Sequence, residues 1–169
     1  SSVEWDASVE QAPKRYYHPD LTNEFLQTRI LDPFATDYDW KTDMTDTMLA
    51  IEIPEPGGPD ALKPCSAPIP EPKPDQILIR NMVAGVNRPD CAQRQGNYHP
   101  PADANPLPGL EVAGEVVAVG EQTSRYKLGD RVTALTHGGG YAEYTAVHER
   151  HCLPWPEGYD AQLAGAIPE

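Results

Sequence analysis

Residues 54–74 carry eight of the chain's nineteen prolines. Each one removes a backbone donor and fixes φ, so the stretch is read as lying outside any regular element. What flanks it is short and apolar. MLAIEI precedes it, and QILIRNMVAGVN, LEVAGEVVAVG, YKLGDRVTAL and GGGYAEYTAV follow. The first alternates apolar with polar residues, the second reads as a strand pair or one bent strand, and the fourth sets Gly129-Asp130 between two half-strands. Gly114 inside LEVAGEVVAVG marks a bulge or a close approach of another backbone. Strands at a spacing of roughly 10–20 residues, without long helices between them, predict a mainly β chain that forms a small antiparallel barrel or sandwich. At the far end, PEGYDAQLAGAIPE reads as the opening of a helix.

Residues 1–47 are different in kind. They hold seven of the thirteen aromatic residues and no sustained alternation. One helix is expected, over DLTNEFLQTRIL, capped by Asp20 and stopped at Asp32-Pro33. It is too short to shelter so many rings. The segment is therefore expected to be an irregular, partly helical extension, packed either on its own barrel or across another subunit. Trp5, Tyr16, Tyr17, Phe25, Phe34 and Trp40 are the expected partner-binding side chains. The division falls between residues 1–47 and 48–169.

A net charge of −13 and a sequence pI near 4.6 repel phosphate backbones, which argues against nucleic-acid binding, and no basic cluster suits an anionic membrane. No apolar run approaches the ~18 residues of a membrane span. Cys65, Cys91 and Cys152 are widely spaced and odd in number, which suits a reducing, intracellular compartment. The chain starts at Ser1, which is compatible with removal of an organelle presequence.

AIEIPEPGGPDAL, GVNRPDCAQRQGNYHPP, PLPGLEVAGEVVAVGE, YKLGDRV, GGGYAEYTAV and LPWPEG follow one another in a familiar order. Over about 122 residues, 48–169, they resemble the N-terminal GroES-like domain of the zinc-free, NADPH-dependent quinone oxidoreductases. These belong to the medium-chain dehydrogenase/reductase superfamily, and the p53-inducible branch is the nearest in look. The resemblance implies a GroES-like, partly open β-barrel. It also implies that Asn87 and Tyr98 line the substrate cleft, where an amide orients a carbonyl or cofactor group and a phenol donates or stacks. Asn87 has a plainer reading too, as an amide that satisfies buried backbone near a bend.

Zinc-dependent members of the superfamily place a cysteine where this chain has Asn87 and a histidine where it has Leu110. Neither an amide nor an alkyl group supplies such a ligand, so no metal is expected. His148, His151 and Cys152 form the only other cluster, read as loop residues. In the family, AGAIPE leads into the Rossmann domain that holds NADPH. This sequence has no GxGxxG, so no cofactor is expected to bind it. The expected function is a non-catalytic accessory subunit of a larger assembly, held through residues 1–47. A mitochondrial respiratory complex is one home for it, the cytoplasm another. The alternative is the N-terminal half of a split or truncated quinone oxidoreductase.

Overall fold

The computed structural model describes residues 47–98 and 100–169. The extension expected over 1–47, with its helix and its six partner-binding aromatics, lies outside these except for Thr47. Seven strands run in chain order: β1 (Thr47–Glu52), β2 (Lys63–Pro68), β3 (Gln76–Ala84), β4 (Glu111–Val119), β5 (Arg131–Leu135), β6 (Tyr144–His148) and β7 (Cys152–Pro154). Two short helices join them, α1 (Arg88–Arg94) and α2 (Ala161–Gly165). β1 and β2 form a two-stranded sheet, and the other five form a sheet in the order β6-β3-β4-β5-β7. Every pairing is antiparallel.

The two sheets are joined without closing into a full barrel. Ala50 bridges to Ala142, and Ile51 N–H donates to Tyr141 O at 2.8 Å. The same 141–143 segment reaches the larger sheet, where Asn81 N–H donates to Glu143 O at 2.8 Å. Alternation sets the core on one face of the five-stranded sheet. Ile77 and Ile79 of β3, Val112 and Val116 of β4, Val132 and Ala134 of β5, and Val147 of β6 pack with Cys152. The residues between them are not uniformly exposed. Leu78, Ala113 and Thr133 are buried as well, so the central strands are covered on both faces. α2 contributes to the second cover: Thr133 Oγ1 donates to Ala164 O at 2.6 Å, and Gly165 sits against Val83.

β3 is one bent strand rather than a pair. Its register against β4 shifts between Leu78 and Ile79 and again between Asn81 and Val83, which leaves Val117 and Met82 without opposite partners. Gly114 lies opposite Asn81, and a Cβ there would run into Arg80 O and Ile79. The close approach expected at this glycine is present.

Two expectations change. The proline-rich stretch does contain a regular element, because β2 pairs with β1 in register from Thr47↔Pro68 to Glu52↔Lys63. It is an edge strand, and an edge has a side on which a missing N–H costs no ladder bond. In YKLGDRVTAL only the second half is a strand. Gly129 adopts φ +83 and Lys127 N–H donates to Asp130 Oδ2 at 2.9 Å, so the first half is spent on the turn. The helix that follows β3, α1, is short, in keeping with the absence of long helices expected between the strands.

Adding a methyl at Gly114 forces backbone apart in the middle of the sheet. Gly114→Ala is expected to destabilise the fold by about 1–3 kcal/mol, read from the urea midpoint. A second test concerns Glu149, whose carboxylate accepts N–H groups from Ser124 at 2.8 Å and Arg125 at 2.9 Å. These bonds hold its pKa below the ordinary 4.5, with burial opposing. A depressed folded pKa means the contribution is full above the unfolded value and lost as pH falls through the folded one. The melting temperature of Glu149→Gln should therefore lie below that of the native chain at pH 7, and the gap should narrow below pH 4.5.

Candidate functional site

The strand pairing builds the site. β3 ends opposite the start of β4, with Ala84 facing Val112, and the chain then passes through Gly85 and Val86 to Asn87. Asn87 is thus set beside Glu111, 24 positions later in sequence, and its Nδ2 donates to Glu111 Oε1 at 2.7 Å. The other oxygen, Glu111 Oε2, accepts the N–H of Glu169 at 3.0 Å. Gly85 N–H donates to Glu111 O at 3.1 Å, and no side chain fits at Gly85 without striking the Glu111 carboxylate.

Asn87 also begins α1. Its N–H donates to Asp90 Oδ2 at 2.8 Å, one half of a capping arrangement, and Pro89 sits in the first turn where its missing N–H is harmless. Tyr141 Oη donates to the same Asp90 oxygen at 2.9 Å. Asp90 and Glu111 are only 5% and 3% exposed, so two carboxylates are buried within one hydrogen-bonded group. Asp90 Oδ1 is buried with no partner among the described residues. Burial first, and then the bond to Asp90, push the Tyr141 phenol well above its ordinary value. Burial, with the charges of Asp90 and Glu111, also raises the carboxyl of Glu169.

Of the two expected cleft residues, Asn87 is built into this group and Tyr98 is not. Tyr98 is half-buried in the loop after α1, and no hydrogen bond joins it to Asn87 among the described residues. The Asn87 amide binds a side-chain carboxylate, where the plainer reading expected it to serve backbone. Asp90, Glu111 and Tyr141 are the members that sequence reasoning passed over. Two signals pointed to them: an acid three residues after Asn87 at a helix start, and a glutamate opening a largely apolar strand.

Metal and dinucleotide can be judged against these groups. Asn87 and Leu110 present an amide and an alkyl chain, and the described residues contain no group of three or more His, Cys, Asp or Glu able to hold a metal ion. His148 is already engaged: its Nδ1 accepts from Arg150 N–H at 3.1 Å, and its Nε2 lies 3.4 Å from Asp75 Oδ2. The Cys152 thiol is pushed up to about 12, chiefly by burial. The first turn of α1 holds a proline and the Asp90 carboxylate, which repels an anion from that helix N-terminus. No helix among the described residues is long and apolar enough to cross a membrane.

The profile of the alcohol dehydrogenase GroES-like domain matches residues 73–157. The chain belongs to that family. Among its relatives, the quinone oxidoreductase of Lama guanicoe is 42% identical over 122 residues, 71% of this chain and 37% of the relative. That of Homo sapiens is 39% identical over the same shares. In structure, the quinone oxidoreductase of Coxiella burnetii superposes with a TM-score of 0.67 at 27% identity, covering 72% of this chain and 41% of that one. The chain thus spans about two fifths of the length of these relatives. It is a quinone oxidoreductase-like GroES domain, mainly β and incompletely closed.

The Glu111 carboxylate accepts from two donors on opposite oxygens. In Glu111→Gln one of those oxygens becomes an amide nitrogen that meets a donor. The substitution is expected to cost about 1–3 kcal/mol of stability, measured by urea unfolding, while an exposed control such as Glu121→Gln costs little.

Proposed function

We propose that this chain supplies the substrate-side wall of a quinone oxidoreductase-type reductase that works without zinc. The observation that carries this is the Asn87 amide fixed by Glu111 at the head of α1, at a position where zinc-dependent members have a thiolate. Reduction of a quinone to a hydroquinone takes one hydride and one proton. Neither demands a Lewis acid when the carbonyl is activated and oriented. On this reading NADPH and its hydride are supplied by a nucleotide-binding domain elsewhere in the polypeptide or in a second chain. What these residues contribute is orientation. Glu111 holds the Asn87 amide, α1 holds Asn87 to Asp90, and Tyr98 lies half-buried on the loop beyond.

One observation favours a second reading, an accessory subunit without catalysis. Asn87 Nδ2 and both Glu111 oxygens are tied up in bonds within the chain, as in a site kept for its stability. On that reading the partner is a protein, and the aromatic residues at Trp5, Tyr16, Tyr17, Phe25, Phe34 and Trp40 supply the anchors.

Mixing this chain with the separately produced nucleotide-binding half of a quinone oxidoreductase tests both. NADPH-dependent reduction of 1,4-benzoquinone is expected on mixing, with kcat/KM lowered about tenfold by Asn87→Ala. The chain alone should not bind NADPH in calorimetry. An inactive mixture, together with co-purification of the native chain in a stable assembly that is lost on deleting residues 1–43, establishes the accessory reading instead.

A further inference from the structure

Outside the Asn87–Glu111 group, beside β5 and β7, a cleft of about 550 Å³ opens among Arg125, Tyr126, Arg131, Trp155, Glu157 and Tyr159. Its volume lies in the range that small-ligand sites occupy. Two of its rings are held in place. Tyr126 Oη donates to Cys152 O at 2.7 Å, and Trp155 Nε1 donates to Tyr159 O at 2.8 Å, while Trp155 N–H donates to Arg131 O at 3.0 Å. Each ring carries a guanidinium. Arg125 Cζ lies 5.6 Å from the Tyr126 centroid, and Arg131 Cζ 5.7 Å from that of Trp155.

Each guanidinium lies within cation–π reach of its ring, and its N–H donors lie in its own plane. Neither arginine forms an ion pair among the described residues. Such forks match carboxylate and phosphate oxygens. Two acids line the cleft with the arginines: Asp130, whose Oδ2 accepts Lys127 N–H at 2.9 Å, and Glu157. Glu149, bonded to the N–H groups of Ser124 and Arg125, also feels the Arg125 charge. Tyr159, 47% exposed, adds open ring surface. In a chain of net charge −13, a cleft in which two arginines match its two acids is a local exception.

We infer that this cleft binds a small planar aromatic anion. The arginine edges hold the carboxylate or phosphate, and the ligand's ring lies against the exposed aromatic surface. Nothing in this site depends on quinone reduction.

Titration of the full chain, ¹⁵N-labelled, with 2-naphthoate and with 2-naphthyl phosphate tests it. The indole N–H signal of Trp155, assigned through Trp155→Phe, should shift saturably with at least one of them, and the tighter of the two names the anion. Neutral 2-naphthalenemethanol should bind about tenfold more weakly, and inorganic phosphate should leave the signal in place. Arg125→Gln and Arg131→Gln should each weaken binding about tenfold. Glu157→Gln, which removes the opposing charge, should tighten it, and this gain does not depend on the arginine variants folding. Absence of saturable binding by both anions overturns the proposal. So does equal binding of the neutral alcohol, unchanged affinity in folded arginine variants, or no gain in Glu157→Gln.

Discussion

The pairing of β3 with β4 is the constraint from which the rest follows. β4 is the middle strand of five, and six of its nine residues, Glu111–Gly114, Val116 and Ala118, are buried. It can approach β3 only because Gly114 has no Cβ to meet Arg80 O. The two bulges then bend β3, so that one strand serves both the flat centre of the sheet and the turn toward α1. β5 and β6 add to the outer sides of this pair, and β7 adds to β5.

The same pairing decides the chemistry at one end. Asn87 follows the last paired residue of β3 and Glu111 is the first residue of β4, so closing the ladder places an amide against a carboxylate across a 24-residue excursion. Burying Glu111 and Asp90 is costly unless their oxygens are bonded, and three of the four are. The donors are Asn87 at β3's exit, Tyr141 and Glu169. Four segments separated in sequence are thereby tied at one point. The bonds that satisfy the buried carboxylates also fix the Asn87 amide, so its structural role and the orienting role proposed for it draw on one network.

Cations are few in this chain, and where they are placed has consequences. Arg80 is paired with Glu115 at 3.3 Å on the sheet surface, an exposed contact of small energetic weight. Arg125 and Arg131 instead lie on aromatic faces fixed by backbone hydrogen bonds. The distinction is one of geometry rather than residue type. A guanidinium placed over a ring is positioned by that contact, whereas one that trails into solvent is not.

Sequence by itself determined the mainly β character, the order of most strands and the helix start before α2, and it narrowed β3 to a strand pair or a bent strand and Gly114 to a bulge or a close approach. These rest on local physics: alternation, glycine without a Cβ, and an aspartate that caps, as Asp160 Oδ1 does by accepting Leu163 N–H at 2.8 Å. The motifs also led to the family. Tertiary structure decided the rest. Prolines 64 and 68 can stand in a strand only because that strand is an edge, and edges are a property of the sheet, not of the segment. Asn87 was singled out in the sequence, but its partner was not. Glu111, Asp90 and Tyr141 meet there through pairings that span 24 and 51 positions, and the meeting exists only once β3 and β4 have closed.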